Sequence, residues 1–458
     1  MTSDLNKLEE DILEIHPGLN FYESTANMEL LFDKARKNLP DSLNKIDFLL
    51  HLAPLIDSLK CGHTGFNVYT QKKPKFLNKP DFKGLIPLHL KKVEGKILIR
   101  RNISNDTVYI LPKSELLEIN NEPIQEILGK LSQLHLGSDG NNQAGEISYA
   151  LKNFRLAYRM FYGERDSFDI KFRQIEKDSI VHIRIAGKTV PEMNKTIIER
   201  LKLRPVTAFE LRPVKDMDKV AILDINRFTS IKFDLFQLGF RQRLKRVFKT
   251  LKANKTAYLI IDLRDNPGGI VDNVVQLQRY VYDERFVLIH EASLNRKYYK
   301  SNASFGNKFS YFLRGLKKKK DRYRFRPYSG KRYRVKNKWG YDGAIVILIN
   351  EGSFSAACTF SLFAKSNDRA ILVGEEAGGS YHIVSAGSAH ITKLNYSKLN
   401  VRIPVVRFDY NVRADLQSPL RGVVPDMEIT ENLEDYLNGI DTQMDAAIGL
   451  IKKFEAKK

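Results

Sequence analysis

The chain has 458 residues, of which 43% are hydrophobic and 28% charged, and its formal net charge at pH 7 is +21. This is the composition of a globular protein of two or three domains with ample material for a core, and no run of about 18 apolar residues is present that would cross a membrane. Two cysteines exclude a disulfide framework, and the nine histidines fall in no HxxxH or CxxH pattern, so we expect no zinc site and no cofactor.

The positive charge is concentrated in one segment. Arg296–Lys338 contains 17 Lys and Arg residues and one acid, Asp321, a net charge of +16 in 43 residues. Its cations alternate with Tyr and Phe, a pattern that binds phosphates or stacks on bases in some proteins, but such clusters are more often a surface hairpin or loop. We therefore predict a basic insertion on the surface of an enzyme, with an acidic polypeptide or an anionic surface as partner and no specific nucleic acid.

Residues 1–60 are predicted to form three helices. The apolar positions of "SDLNKLEEDILEI" recur about every 3.6 residues, "HPG" ends this helix, and "ANMELLFDKARKNL" and "IDFLLHLAPLIDSL" predict the next two. The stretch "CGHTGF" follows, in which His63 stands between two glycines. A buried structural histidine needs no glycines around it, so the pattern indicates a tightly turned, exposed loop that presents the imidazole.

Residues 85–130 change to strand-like patterns. The runs "LIPLHLKKV", "KILIRRN" and "TVYIL" predict strands, and "SELLEINNEPIQEILGKL" predicts a strand, an Asn-Asn turn and a helix. Residues 144–162 predict a helix, and "FDIKFRQIEKDSIVHIRIAG" alternates as a β-hairpin does.

From Lys219 onward, buried strands alternate with helices. The strands "KVAILDI", "AYLIIDLR", "AIVILIN" and "AILV" are interleaved with the helices "FDLFQLGFRQRLKRVFKTLKAN", "IVDNVVQLQRYV" and "SAACTFSLFAK". This alternation predicts a layered α/β core. Because ligands gather at the carboxyl ends of strands in open α/β sheets, these strand ends are the places to look for functional residues.

Three strand ends carry unusual residues. In "IIDLRDNPGG", Gly268 and Gly269 either let the backbone approach a ligand and offer N–H groups to an oxyanion or merely form a tight turn. In "ILINEGSFSAACTF", Ser355 precedes a helix of small residues, where it is either a nucleophile or only an N-cap. In "GEEAGGSYH", Glu376 and His382 lie beside an open loop as accessory candidates.

The order and spacing of these motifs resemble one family. The stretches "GHTGF", "LIIDLRDNPGG", "ILINEGSFSAA", "AILVGEEAGG" and "RGVVPDMEI" follow one another as in the tail-specific or C-terminal-processing serine peptidases, including the branch close to the tricorn protease core. The stretches "ILEIHPGLNFY", "LLEINNEPI" and "LNVRIPVVRF" further resemble the secreted members of Bacteroidetes-type bacteria. The resemblance covers about residues 5–430.

The resemblance implies an α/β fold with a crotonase-like or Clp-protease-like superhelical core of βα units. It divides the chain into an N-terminal helical region with the His loop (1–80), a small PDZ-like β-rich segment (81–140), and a serine peptidase core (141–450) with the basic insertion at 296–338. A PDZ-like segment would bind a substrate as an added β-strand, and "KGLIPL" is similar to its carboxylate-binding turn.

The resemblance also implies roles for individual residues. Ser355 falls at the nucleophile position, and His63 falls where the tricorn branch keeps its general base. Gly268 or Gly269, together with the amide of Ala356, falls at the oxyanion hole. Imidazole titrates near neutrality and can therefore activate a serine hydroxyl, and water would hydrolyse the resulting acyl-enzyme.

The sequence departs from the family at several positions. The lysine of the Ser–Lys members is Ser380 here, so a Ser–Lys dyad is not expected. The serine before the histidine and the late glutamate of the tricorn-like set are replaced by Gly62 and, approximately, Pro419. The residue that orients His63 therefore stays open, and His382 is the alternative base.

Cys61 and Cys358 stand where family members commonly carry acids. Both lie within three positions of a proposed catalytic residue, so folding should bring them close together. Two hypotheses follow. In the first, both are small buried thiols, and in the second they form a disulfide that ties the His loop to the Ser helix.

The leading interpretation is a serine endopeptidase that acts on polypeptides through Ser355 and His63. One alternative is a catalytically weak or inactive peptide-binding protein on the same scaffold, since fold does not determine chemistry; another is a nucleic-acid-binding protein that uses Arg296–Lys338. The N-terminus has no charged-then-apolar leader, so the protein is either cytoplasmic or lacks an export signal that was removed. Because the family is mostly exported, we expect the periplasm or cell envelope.

Overall fold

The βα units that begin near Lys219 form a central sheet. The structure, a computed structural model, describes residues 1–66, 83–104, 110–133, 137–202, 207, 209–229, 238–313, 315–319, 322–379, 382–416 and 421–456. The strands of the sheet are β8 Phe209–Val214, β9 Met217–Ile225, β10 Tyr258–Asp262, β16 Ala344–Ile349, β17 Ile371–Gly374 and β20 Met427–Glu428. They lie in the order β20-β17-β16-β10-β9-β8, parallel except for β8, which pairs antiparallel with β9.

The central strands bury both faces, as their near-continuous apolar sequences predict. One face packs against the last helix, α13 Thr442–Ala456, through Val220, Ile222, Tyr258, Ile260, Val346, Leu348 and Val373. The alternate residues of the same strands join a larger core with the helices α8 Leu238–Ala253, α9 Val271–Val281 and α11 Ala356–Ser366. The sequence predicts a helix that begins at Phe233, five residues before the start of α8. These five residues, 233–237, lie outside the described residues.

The three predicted N-terminal helices are present as α1 Thr2–Ile15, α2 Thr25–Lys37 and α3 Lys45–Ser58. Helix α1 docks on a long hairpin, β18 Ile383–Leu394 and β19 Leu399–Tyr410. The buried Asp4 carboxylate accepts the backbone N–H groups of Tyr396 and Ser397, at 3.1 and 2.6 Å. The start of the chain is therefore fixed to a hairpin almost 400 positions later.

A second sheet is built around β19. Its other strands are β1 Gly65–Phe66, β12 Ile289–Asn295, β13 Leu316–Lys318 and β14 Arg322–Phe325, in the order β1-β19-β12-β14-β13, with β18 also paired to β19. Strand β1 pairs antiparallel with β19, Gly65 opposite Arg402. Because β1 follows His63 directly, this pairing ties the His loop to the second sheet.

The middle of the chain forms a third, antiparallel sheet. Its strands are β2 Leu88–Val93, β3 Lys96–Asn102, β4 Glu115–Ile119, β5 Glu122–Pro123, β6 Ser167–Gln174 and β7 Ser179–Ala186, in the order β2-β3-β4-β6-β7 with β5 beside β4. The helices α4 Ile124–Ser132, α5 Gln143–Lys152 and α6 Phe154–Tyr162 lie between β5 and β6, and α7 Val190–Glu199 follows β7.

The unit that contains this third sheet is larger than the sequence indicated. The expected domain boundary at residue 140 falls inside it, because β6 pairs with β4 across the three intervening helices. The predicted hairpin is β6–β7, whereas the first residues of the predicted strand "TVYIL", 107–109, lie outside the described residues.

The basic segment Arg296–Lys338 has regular structure. It contains α10 Phe305–Leu313, the β13–β14 hairpin, and β15 Arg332–Tyr333, which pairs with β11 Phe286–Val287. The remaining helix of the described chain is α12 Leu433–Asn438. None of the helices in the described ranges is long and apolar enough to span a membrane.

Candidate active site

Ser355 lies at the turn between β16 and α11, where the chain leaves the carboxyl end of a central strand. It occupies the N-cap position of α11, yet its side chain makes no capping hydrogen bond. Its backbone has φ 54° and ψ −114°, a conformation that a residue with a Cβ adopts only when its surroundings impose it. The alternative role as a simple N-cap therefore does not describe Ser355.

Ser353, two residues earlier, has the structural role instead. It is fully buried, and its Oγ donates to the Leu263 carbonyl at 2.8 Å and accepts the Asn350 N–H at 3.1 Å. These bonds join the ends of β10 and β16. They fix the turn that carries Ser355.

His63 is the imidazole that contacts Ser355. Its Nε2 lies 3.2 Å from Ser355 Oγ, across 292 positions of sequence. The ring also lies against Phe354, with 4.8 Å between the ring centroids and 31° between the planes. The encounter between the early histidine and the late serine that the motifs predicted is present in the fold.

Gly62 lets the His loop approach the rest of the site. A Cβ at Gly62 would lie 2.5 Å from the Ser138 carbonyl oxygen and 2.8 Å from the Phe354 ring, closer than such atoms can come. From the other side, Arg402 donates a hydrogen bond to the His63 carbonyl. The glycine before His63 is thus required by packing against segment 137–142.

His16 supports the same loop from beneath. Its Nδ1 accepts the Gly18 N–H at 3.2 Å, so the proton is on Nε2, which donates to Thr64 Oγ1 at 2.9 Å. Burial lowers the pKa of His16 to about 4. The "HPG" that ends the first helix therefore also positions Thr64, the neighbour of His63.

Asp139 is a site residue that the sequence analysis missed. One ligand-type atom each of Cys61, His63 and Asp139 lies within 4.8 Å of the other two. Asp139 is only 3% exposed; its Oδ1 accepts the Gly62 N–H at 2.8 Å, and its own N–H donates to the Gly378 carbonyl at 2.8 Å. The signal in the sequence was "GSDGNN", a turn-forming run between two helical patterns.

The group of Cys61, His63 and Asp139 is better suited to proton transfer than to metal binding. A cysteine binds metal as the thiolate, but burial, with the nearby Asp139 charge, raises the pKa of Cys61 to about 12. The Cys61 thiol instead donates to the Ser385 carbonyl at 3.7 Å. Nε2 of His63 already contacts Ser355.

Gly268 lies against Ser355, but its amide, one of the predicted oxyanion donors, is engaged. Gly268 has φ +93°, and a Cβ there would lie 2.7 Å from Ser355 Cβ. Its N–H donates to Asn266 Oδ1 at 2.8 Å. The N–H groups of Gly269 and Ala356 have no acceptor within the described ranges. Of the three predicted donors, these two are available to an oxyanion.

The structure does not bring His382 or Glu376 to Ser355 in the way that it brings His63. The His382 ring packs edge-on against Phe21, with centroids 5.5 Å apart. The Glu376 carboxylate accepts the Gly422 N–H at 2.6 Å and hydrogen bonds from Arg421 at 2.6 and 3.1 Å. Glu376 therefore holds the segment that follows residue 420.

The alternative of a disulfide between the two cysteines is contradicted. Cys61 and Cys358 are both free and buried. Each thiol donates to a different carbonyl, Cys358 to that of Ser353 at 3.2 Å and Cys61 to that of Ser385. Burial also holds the pKa of Cys358 well above its usual range, which keeps both sulfurs protonated and slow to oxidise. Ser380 and Pro419, the two departures from the family pattern, lie outside the described residues.

Comparisons with known proteins support one family. The profile of peptidase family S41 matches residues 219–429, and no curated protein matches the sequence. The structure of mature CPAF complexed with lactacystin is 17% identical, with a TM-score of 0.68 over 100% of this chain and 98% of that one. A second structure of mature CPAF is 17% identical, with a TM-score of 0.63 over 95% and 93% of the two chains.

At this level of identity the structural likeness establishes the fold, which confirms the expected α/β architecture. The family match covers the segment that holds Ser355 and the two available oxyanion donors, Gly269 and Ala356. Together they show that residues 219–429 form a peptidase domain of family S41, the tail-specific serine peptidases. The protein is thus a serine-type endopeptidase acting on polypeptides.

Proposed function

We propose that Ser355 is the nucleophile of this peptidase and His63 its general base. The observation that carries the proposal is the 3.2 Å separation between His63 Nε2 and Ser355 Oγ. With the proton on Nδ1, Nε2 accepts the hydroxyl proton as Ser355 attacks the substrate carbonyl. The imidazolium then protonates the leaving amine, and the same nitrogen activates the water that hydrolyses the acyl-enzyme.

The negative charge on the substrate oxygen would be held by the amides of Ala356 and Gly269. Both are near the start of a helix, where N–H groups lack intrahelical partners, and they have no acceptor among the residues that the structure describes. Donors that are already oriented cost no reorganisation during the reaction. The positive φ of Ser355 supports this arrangement, since it directs the hydroxyl away from the capping position.

Asp139 is the group that we assign to orient His63. Nε2 of His63 contacts Ser355, and a ligand-type atom of His63 also lies near those of Cys61 and Asp139. We therefore assign the other ring nitrogen, Nδ1, to face Asp139. A buried carboxylate in this position stabilises the imidazolium and favours the Nδ1–H tautomer. Asp139 would replace the orienting group that the family pattern left open.

A fluorophosphonate probe tests the assignment of the nucleophile. We expect one covalent adduct on the peptide that contains Ser355, no adduct in Ser355→Ala, and at least 10³-fold slower labelling, to order of magnitude, in His63→Ala. Ser353→Ala is the matched control: it loses a buried hydrogen bond and some stability, but it keeps its adduct. Casein turnover that survives Ser355→Ala would overturn the assignment.

The same experiment addresses the alternative of an inactive binding protein on this scaffold. Such a protein would bind peptides without forming an adduct and without releasing new peptide termini. Nothing in the geometry of Ser355 favours that alternative, since its hydroxyl is paired with an imidazole and not with the helix.

We further propose that Arg296–Lys338 meets an anionic partner and that the protein works in the periplasm or cell envelope. The first proposal is supported by the net charge of +16 in that segment and the second by the resemblance to exported family members. Fractionation of the source cells tests the location.

The PDZ-like role of the third sheet is likewise a proposal, supported by its antiparallel strands. Deletion of residues 83–104 should weaken peptide binding without abolishing labelling of Ser355.

A further inference from the structure

The helix α10, inside the basic segment, carries an unusual apolar surface. Four large side chains stand out in solvent: Phe305 is 86% exposed, Phe309 55%, Phe312 71% and Leu313 68%. Phe309 follows Phe305 by four residues, and Phe312 and Leu313 follow Phe309 by three and four, so the side chains share one face of the helix, a stripe about 12 Å long. An exposed aromatic surface of this kind marks an interaction site.

The orientation of α10 is set by the opposite side of the helix. Tyr311 is 2% exposed, and its ring packs edge-on against Phe325 of β14, with centroids 5.8 Å apart. Tyr298, just before the helix, is also buried. Because Tyr311 anchors the helix, the four apolar side chains cannot turn inward without breaking this packing.

Cations lie on α10 and on the segments that adjoin it in the chain. Lys300, Lys317, Lys318 and Arg326 are exposed, and none of them forms an ion pair with another described residue. Lys308 lies on α10 itself, with its ammonium 5.9 Å from the Tyr299 ring centroid. Lys308 also donates to the Lys300 carbonyl at 2.9 Å, and α10 contacts β13, so the apolar and cationic side chains belong to one region of the molecule.

The neighbouring hairpin holds its cations in place through a buried acid. Glu291 of β12 is 7% exposed, and Lys319, Arg322 and Arg324 converge on it from β13–β14 at 2.7, 2.8 and 3.9 Å. Burial alone would raise the pKa of Glu291, but these three cations outweigh it and hold the pKa below its usual range. These ion pairs tie the hairpin that carries Lys317 and Lys318 to β12.

We propose that α10 docks this enzyme on an anionic phospholipid bilayer. An interfacial helix buries aromatic and aliphatic side chains at the level of the headgroups, while flanking Lys and Arg side chains contact anionic lipids. The docking surface consists of α10 with Lys300, Lys317, Lys318 and Arg326. It narrows the anionic partner proposed above to a lipid surface and does not depend on the catalytic assignment.

Charge decides against a second copy of the chain as the occupant. Two α10 faces could associate only by bringing together two segments of net charge +16, which like-charge repulsion opposes. An acidic polypeptide would satisfy the cations but leaves the four apolar side chains without a matching partner. A bilayer with anionic headgroups satisfies both parts of the surface.

Vesicle co-sedimentation of the whole chain tests the proposal. We expect binding to phosphatidylcholine vesicles that contain anionic phosphatidylglycerol, little binding to phosphatidylcholine alone, and a decrease between about 50 and 300 mM salt. The double variant Phe309→Ser/Phe312→Ser should bind at least about tenfold more weakly than the wild type. The double variant Lys317→Glu/Lys318→Glu should show a similar loss. Ile198→Ser, a matched loss of an exposed apolar side chain on α7, should bind as the wild type does.

Several results would overturn this assignment. They are equal binding to neutral and anionic vesicles, no binding at all, or binding that the two serines leave unchanged. If the protein is a dimer that the double variant Phe309→Ser/Phe312→Ser dissociates, the surface binds a second copy of the chain. If the protein binds polyglutamate and the double variant binds it equally well, the surface binds an acidic polypeptide. Hydrolysis of a soluble peptide without lipid serves as the control for folding.

The outcome is separable from that of the proposed catalytic site. Ser355→Ala should bind vesicles as the wild type does, whereas the α10 variants should keep their adduct with the fluorophosphonate. Failure of docking would therefore leave the peptidase intact, and failure of labelling would leave docking intact.

Discussion

Ser355 combines two properties that distinguish a reactive serine from a structural one. Its φ of 54° places a residue with a Cβ in the left-handed region, and its hydroxyl contacts an imidazole in place of the helix that it precedes. Such a conformation costs on the order of 1–3 kcal/mol and persists only when neighbouring contacts impose it. Here Ser353 and Gly268 supply those contacts.

The role assigned to Asp139 predicts a change in pH dependence as well as in rate. Removing its charge in Asp139→Asn should lower kcat about 10²–10⁴-fold with little change in KM. A nearby carboxylate raises the pKa of an imidazole, so its loss lowers the pKa of His63. The acidic limb of kcat/KM should therefore move to lower pH, by about one unit.

Asp57→Asn is the control for this prediction, because Asp57 pairs with Lys60 at the surface, at 2.9 Å. Asp57→Asn should change neither kcat nor the acidic limb of the kcat/KM profile. If Asp139→Asn lowers only the unfolding temperature and leaves the pH profile in place, Asp139 is structural and the orienting role is wrong.

Glu375 offers a second test at the residue scale. Burial and the neighbouring Glu351 raise its pKa from 4.5 to about 8. Folding therefore favours its protonated form, and the stability that it contributes below about pH 4.5 is lost as the pH rises toward 8. Glu375→Gln should raise the Tm relative to wild type near pH 9, by roughly 1 °C per kcal/mol recovered in a chain of this length, and this gain should shrink near pH 5.

Differential scanning calorimetry at the two pH values measures the gain. Glu428→Gln, which changes an exposed carboxyl on β20, should show no such pH dependence. A gain that is equal at both pH values would mean that Glu375 is already ionised in the folded protein.

At the scale of elements, the His loop has no regular structure of its own and is held from three sides. Strand β1 pairs with β19, Asp139 accepts the Gly62 N–H, and His16 donates to Thr64. Each contact comes from a different element, so the position of His63 reports on the docking of all of them. This dependence predicts that distant changes in α1 will affect catalysis.

Thr64→Val tests the support from beneath. It leaves the buried His16 Nε2–H without its acceptor, which should cost about 1–3 kcal/mol of unfolding free energy and slow the labelling of Ser355. Urea unfolding and labelling rates measure the two effects. Thr25→Val, at a partly exposed threonine whose hydroxyl bonds to Asn20 at 3.2 Å, should change neither. An unaltered labelling rate in Thr64→Val would show that His16 does not support the loop.

The elements themselves were largely predictable from local patterns. The apolar runs that alternate with amphipathic stretches after Lys219 became β9, β10, β16 and β17 with their helices, because burial on both faces selects such residues. The boundary at residue 140 was not predictable. Pairing of β6 with β4 depends on a contact between residues more than 50 positions apart, for which the sequence carries no local signal.

At the scale of the whole molecule, the central sheet lies between the candidate active site and a hydrophobic core that contributes to stability. Its far face packs on α13, whereas Ser355 and His63 lie beside α11 and the second sheet. The two cores are distinct sets of side chains. A loss of packing under α13 should therefore reduce stability without changing the chemistry of each folded molecule.

Ile451→Ala tests this separation. Ile451 is fully buried, so its truncation should cost about 2–5 kcal/mol, measured by urea unfolding, while the labelling rate of the folded fraction stays unchanged. Ile440→Ala, at a side chain that is 43% exposed, should cost well under 1 kcal/mol. Slower labelling per folded molecule in Ile451→Ala would show that the two regions are coupled.

The amino-acid sequence by itself determined the α/β class, the strand ends that carry Ser355 and the glycines, and the loop that presents His63. These features depend on hydrophobic periodicity and on turn residues, which are properties of short, contiguous stretches of sequence. Only the tertiary structure decided that Asp139 lies beside His63, that His16 supports Thr64, that the cysteines remain apart as thiols, and that α10 turns its phenylalanines outward. Such contacts join residues 48 to 324 positions apart, and close packing of distant segments, not local preference, selects them.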